Sequence, residues 1–568
     1  MSTMSTSALL IDGFIIILYF VSITAIGLYM GRRERSLEDY ALGGRKMPWW
    51  AVMASIIAAE TSAATFIGAP AEGFSTRGVI YVQLTIGLIL GRIIVGHYFL
   101  KPYYKYRVYT VYDYLLVRFG IKSKNMVSGL FLIMRVLASG VRLYVPSLVL
   151  VLAWRLFVLH QPVTFQHLDT WVPYAWAIII LTIVTCIYTA LGGIKAVIWT
   201  DLIQASLMFG SAVVAIGTIL YHIGGGSIMN GFSVLGQHVP EMTTTKGYFL
   251  TGFENVKSGS TLWEIFKLVL ANKYTIPAAV IATTIGNMAA FGTDQDMVQR
   301  MLTAKDYKKS RRSLVTAAFM DVPIAFCFTF IGVLLIAFYE LNPALKPAKP
   351  NDVFGVYILN VMPVVIRGFV MAGVFATAMG SLSAALNALA TTATNDWYIP
   401  YFARNKEEHH YVFAARVFTG VFAVLMIIVA VVFAIANVKN PTLTIIPIAL
   451  GIAAYFLGPM LGLFLTGMFT KTRGSDKGNI LALIAGVFTI LLLSGKYYDL
   501  INFIIHLFSP SALGYTFPSW MPQIEFTWYA MAGAMATFFV SLLFRTPQHV
   551  LDAAIRREEE IKKAYPQE

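Results

Sequence analysis

Thirteen stretches of this chain are apolar for long enough to cross a hydrocarbon layer, and that pattern leaves few folds open. They lie at about 9–31, 49–75, 78–100, 125–153, 171–190, 197–221, 262–290, 312–339, 363–394, 411–436, 442–468, 478–495 and 525–545. A layer of ~30 Å takes about twenty helical residues, and inside it every backbone amide needs an internal partner. Runs of this length predict an all-α polytopic membrane protein with about 13 transmembrane helices. Of 568 residues 57% are hydrophobic and only 13% charged, far from the balance of a soluble domain. The run at 9–31 is well continued by later spans, so it is kept as a membrane helix and not a cleaved leader. Cys186 and Cys327 both sit in apolar runs, which indicates neither a disulfide framework nor a cysteine metal site.

The net charge of +14 has an explanation in topology. Basic residues crowd every second loop: Arg32, Arg35, Arg45 and Lys46; then Lys101, Lys105, Arg107, Arg118 and Lys122; then Arg300, Lys305, Lys308, Arg311 and Arg312; then Lys471, Arg473 and Lys477; and finally the tail. The intervening loops are nearly free of them. The positive-inside bias then places the N-terminus outside and the C-terminus in the cytoplasm of a plasma-membrane protein. The lipid bilayer accounts for the charge, and no nucleic-acid partner is expected.

The longest outside loop falls between the sixth and seventh runs. It separates two sets of five helices, and because five is odd the second set runs upside down relative to the first. The expected organisation is 1–48, an N-terminal helix and cytoplasmic loop; 49–221, a first inverted repeat; 222–261, an extracytoplasmic loop; 262–468, a second repeat; and 469–568, two further helices with a short cytoplasmic tail. Carriers built as a 5+5 inverted repeat hold their cargo at mid-membrane, on the interrupted first helix of each half.

Two stretches fit that role. IIAAETSAATFIGAPAEGF, Ile56 to Phe74, begins as an apolar helix and then presents Glu60, Thr61, Ser62 and Thr65 before Gly68 and Pro70. Polar groups and helix breaks in hydrocarbon are tolerated mainly where they line a pathway. In the other half, AAVIATTIGNMAAFG, Ala278 to Gly292, carries Thr283, Thr284, Gly286 and Asn287. A third stretch, GVFATAMGSLSAALNALATTATNDWY, repeats Thr377, Ser381, Asn387, Thr391 and Thr394 along a helix whose Gly380 permits close approach. A hard monovalent cation needs several oxygen ligands, which freed carbonyls and neighbouring hydroxyls supply. Asp201, in GGIKAVIWTDLIQ, falls about one turn inside the membrane, where a carboxylate requires a cation or a hydrogen-bond network.

GGIKAVIWTDLIQ, FGTDQDMVQRMLTAK (Phe291 to Lys305) and MGSLSAALNALATTATNDWY together resemble the sodium/solute symporter family. The resemblance covers about residues 10–470. It implies the amino-acid transporter (LeuT) fold, alternating access and uptake of a small organic solute driven by sodium as the coupling ion. Carried over residue by residue, it implies a sodium site from the carbonyls of Ala58, Thr61 and Thr377 and the hydroxyl of Ser381. The family usually has two adjacent hydroxyl residues there, and this chain has Gly380 before Ser381. A second ion site of some members resembles Asp201 with Ser383, but its further serine position is Ala384. Protons carried by Glu60 or Asp201 are the alternative coupling.

For the solute the resemblance points several ways. Ser62, Thr65 and Gln83 resemble hydroxyl and amide positions of sialic acid transporters, and Asn287 matches a sugar-contacting asparagine. The lysine that accompanies that asparagine elsewhere is Asp321 here. Glu60 stands where proline transporters resemble it with an aspartate. Arg135, sharing a helix face with Arg142, is suited to a substrate carboxylate. An organic anion, such as a monocarboxylate or sialic acid, or a sugar, is expected in the space between 49–75 and 262–290. A solute sensor of the same fold is the rival, and no enzyme is expected, since nucleophile, base and orienting group do not appear together.

Overall fold

The computed structural model describes residues 6–32, 34–158, 170–254, 256–272, 274–439, 445–508 and 514–564. Among these residues the chain is helical, with two isolated bridges, Met47 with Ala304 and Arg473 with Arg545, as its only extended pairings. Among the described residues eight helices are long and apolar enough to cross a membrane, and a bent pair makes a ninth. Three shorter apolar helices, Ala278–Thr293, Gly478–Leu493 and Phe526–Leu542, add to these. The run predicted at 442–468 corresponds to Ile445–Phe469, and its residues 442–444 lie outside those described.

The runs at 171–190 and 197–221 are two helices that meet at a kink at Gly193 within Val172–Ile223, where φ is 51° and ψ −156°. A residue lacking a β-carbon reaches that conformation at little cost. The space is filled as well: a β-carbon there would stand 2.5 Å from one Glu34 carboxyl oxygen and 2.8 Å from the Tyr40 carbonyl. Burial pushes the Glu34 carboxyl up to about 9 against the pull of Lys195 and Arg416. The group packed on this kink is therefore a neutral acid at pH 7.

The single span expected at 262–290 is instead two elements. Leu262–Leu270 is a short helix closed at its start by a capping box between Thr261 and Glu264. It ends at Ala271, and Pro277, having no N–H to give to a continuing helix, stands at the start of the next one. Leu262 is exposed, whereas Leu270 is buried with Ala278, Ala282, Ile524 and Trp528. Trp263 and Phe266 are exposed as well, and Ala278–Thr293 is the membrane-type element.

The chain forms two compact units, each drawing on residues from both sides of the 222–261 loop. In the first (Met1–Gln83, Arg135–Phe249, Gln299–Ala449) the helix Ile366–Thr392 is the centre, packed by Val172–Ile223, Thr6–Gly31 and Trp49–Glu60. Its run of Ala, Gly and Ser lets these neighbours come close. A buried ion pair fixes one of them, with Arg367 Nε 2.7 Å from Asp12 Oδ2. In the second unit (Leu84–Met134, Leu250–Val298, Leu450–Glu568) the helix Thr85–Ile94 lies on Ala278–Thr293. The Arg92 guanidinium stacks there over Phe291 at 4.1 Å.

Candidate functional site

The helix Trp49–Glu60 ends because Thr61 turns extended, with φ −79° and ψ 106°. Ser62, at φ −94° and ψ 165°, starts Ala63–Thr76, and its Oγ accepts from Thr65 N at 3.4 Å. The two pieces are bent by 67°. Thr61 N still donates to Ile57 O, but Ser62, the i+4 donor that Ala58 would use, has left the helix. An interruption of this kind turns the last carbonyls of a helix toward whatever else is near.

What stands near is the Ile366–Thr392 helix at Gly380. A β-carbon built on Gly380 would lie 3.4 Å from Ala58 O, 2.9 Å from Gln204 Oε1 and 3.5 Å from Asp201 Oδ1. Three oxygens from two other helices therefore converge on one point of the third. Thr377 and Ser381 lie on the same stretch of that helix. Ser381 Oγ is 3.1 Å from both Thr377 O and Ala378 O, and Ser383 Oγ is 3.1 Å from Gly380 O. Among the described residues no group of three His, Cys, Asp or Glu side chains forms a metal cluster. Carbonyl, hydroxyl and amide oxygens are the donors a hard alkali cation takes, so the residues present fit such an ion.

Asp201 is held from its other side. Its Oδ2 accepts from Ser55 Oγ at 2.6 Å and lies 3.3 Å from Arg300 Nη2, while Arg300 Nε donates to Ser55 Oγ at 2.9 Å. Arg300 is 1% exposed, so it is a buried partner of Asp201 and not one of the loop charges with which the sequence pattern groups it. It sits on Gln295–Leu302, between Gln299 and Met301, and neutralises the Asp201 carboxylate. The neighbouring Gln299 donates through Nε2 to Ala41 O, Asn387 Oδ1 and Thr391 Oγ1, which assigns two of the polar positions on the 366–392 helix to packing.

The expected solute residues are distributed more widely. Ser62 and Thr65 lie together at the break, their hydroxyls 3.4 Å apart. Glu60, Glu72 and Asp321 all lie near enough to Tyr81 to act on it electrostatically. Gln83 and Arg135 are buried in the same unit. Asn287 belongs to the second unit, with its amide donating to Thr283 O at 3.1 Å. The sequence pattern marks neither Gln204 nor Ser55; the one local signal is that Gln204 closes GGIKAVIWTDLIQ, a polar residue one turn beyond Asp201.

A bent membrane helix offering its carbonyls to a helix of small residues, inside a polytopic helical bundle, defines a membrane carrier of the LeuT type. The chain belongs to the sodium:solute symporter family, whose sequence model matches residues 40–486. It is 27% identical over 494 residues to the sodium/sialic acid symporter of Proteus mirabilis, covering 86% of this chain and 90% of that protein. It is 26% identical over 512 residues to the sodium/glucose cotransporter of Vibrio parahaemolyticus, covering 86% of each. A solved Na+-coupled sialic acid symporter, substrate-bound and outward-open, superposes with a TM-score of 0.72 at 23% identity, over 94% of this chain and 97% of that one. The fold implied by the three sequence motifs is the one observed.

Proposed function

We propose that this protein is a secondary active transporter that carries a small organic solute into the cell together with sodium, by alternating access. The observation that carries the reading is the Ala58 carbonyl, released by the break after Glu60 and set against the 366–392 helix at Gly380. Thr61, Thr377 and Ser381 complete an oxygen-only set around it. Asp201 and Ser383 lie beside it, and the Arg300 ion pair makes Asp201 a poor proton carrier. Sodium bound here ties the two helices together and holds one state of the carrier, which the solute then joins. An ion falling through ~100 mV releases ~2.3 kcal/mol, enough for roughly fiftyfold accumulation.

The solute is an organic anion or a sugar, in keeping with relatives named for sialic acid and glucose. Ser62 and Thr65 supply hydroxyl contacts and Gln83 an amide, Glu60 and Asp321 select among polar groups, and Arg135 suits a carboxylate. The helices make thirteen crossings in two inverted sets, in a plasma membrane, with the N-terminus outside and the basic loops and tail in the cytoplasm.

Proteoliposomes separate the coupling ions. Uptake of sialic acid, pyruvate or glucose is expected under an inward sodium gradient and not under a proton gradient with potassium replacing sodium; the reverse pattern overturns the assignment. Within the same assay, Ser381→Ala is expected to raise the half-saturating sodium concentration about tenfold, the effect of ~1.4 kcal/mol, with the order of preference among solutes unchanged. Sodium dependence identical to the parent protein would remove Ser381 from the ligand set.

A further inference from the structure

Gly380 is the point on which the oxygens around the broken helix converge, and it brings no side chain of its own. The oxygen nearest to it belongs to Gln204, whose Oε1 would stand 2.9 Å from a β-carbon at that position. Gln204 is 1% exposed, its Nε2 donates to Tyr19 Oη at 3.4 Å, and its Oε1 is buried without a hydrogen-bond partner. A buried amide oxygen left unsatisfied is destabilising. Here that oxygen is directed at the same niche as the Ala58 carbonyl and the Asp201 carboxylate. Acceptors gathered around one point without a donor among them repel each other, and a cation placed between them reverses the sign of that interaction.

We infer that Gln204 is a sodium ligand in this protein, its side-chain oxygen occupying the place beside Gly380 that a hydroxyl at residue 380 would otherwise fill. The inference rests on the sodium site proposed above and adds a residue from the 172–223 helix to it. Three helices then close on the ion: the broken helix through Ala58 and Thr61, the 366–392 helix through Thr377 and Ser381, and the 172–223 helix through Gln204. Asp201, one turn earlier on that helix, adds negative charge without having to touch the ion. Absence of a β-carbon at residue 380 is what makes room, because a side chain there would meet Gln204 Oε1 at 2.9 Å. Glycine at 380 and a coordinating glutamine at 204 are thus a matched pair.

The test is thermal unfolding of the purified full-length protein in detergent, titrated with NaCl against KCl at constant ionic strength. This reads ion binding without transport. The parent protein is expected to be stabilised by sodium and not by potassium. Gln204→Met, of similar size but without the oxygen, should raise the half-maximal sodium concentration at least tenfold. Gln204→Glu, which presents an oxygen whichever way the group is turned, should keep it within about threefold. Gln204→Ala combined with Gly380→Ser, which clears the niche and returns a hydroxyl to it, should recover most of what Gln204→Ala loses. A Gln204→Met protein that unfolds at lower temperature in both salts, with its half-maximal sodium concentration unchanged, overturns the inference and leaves Gln204 a packing residue. If instead the parent protein shows no sodium-specific stabilisation, the underlying sodium site fails. Should Gln204→Met not fold, the comparison of Gln204→Ala with its Gly380→Ser partner decides, and no recovery overturns the inference.

Discussion

Arg300→Met is expected to lower the stability of the protein by about 3–5 kcal/mol, the usual consequence of stranding one charge of a buried pair. Asp201 is 0% exposed and Arg300 1%. Once the guanidinium is gone, Asp201 loses the cation 3.3 Å from its Oδ2 and retains the Ser55 hydroxyl at 2.6 Å. Water cannot take over at a site this enclosed, so the carboxylate must either stay charged at high cost or take up a proton. The double variant Arg300→Met/Asp201→Asn removes both charges and should recover at least half of the loss, because replacing a whole buried pair is far milder than breaking it. A double-mutant cycle by thermal unfolding in detergent measures this coupling. Equal stability of Arg300→Met and the parent protein would mean that the pair contributes nothing to stability.

The same pair shows where the sequence stops being informative. Asp201, placed about one turn inside the membrane, could be read as needing a cation, because the cost of a carboxylate in hydrocarbon depends only on its own position. Its partner is 99 residues away in the chain, and nothing local distinguishes Arg300 from the lysines and arginines that follow it in the next loop. Asp12 and Arg367 are a second instance, 355 positions apart. The helix break was legible for the opposite reason: Thr61, Ser62 and Thr65 compete with the backbone for hydrogen bonds within a single turn. Periodicity located the membrane helices but merged residues 262–270 into one, since a short apolar surface helix and an apolar span have the same composition over nine residues. The oxygen of Gln204 became visible only through the room left by Gly380, a relation between two helices that no single stretch contains.

The second large effect is expected where the latter half of the broken helix meets Tyr307–Leu341. The two backbones touch through a pair of glycines: a β-carbon on Gly332 would run into the Pro70 carbonyl, and one on Gly73 would run into the Thr329 carbonyl. Backbone cannot swing aside as a long side chain can, so Gly332→Ala forces the helices apart over the whole contact. Overpacking of this kind costs about 3 kcal/mol. Because Ala63–Thr76 carries Ser62 and Thr65 at its start, the displacement is transmitted to the solute contacts, and Gly332→Ala should weaken solute binding tenfold or more. Gly217→Ala is the matched control. Gly217 lies on the helix Val172–Ile223 in the same unit, and a β-carbon there would meet nothing within 4 Å. That change should leave binding intact and raise stability by up to ~1 kcal/mol through helix propensity. Thermal unfolding together with solute titration of the two variants reads the difference. If Gly332→Ala proves as harmless as Gly217→Ala, the 63–76 and 307–341 helices do not pack through their backbones, and the position of Ser62 and Thr65 must be fixed from elsewhere.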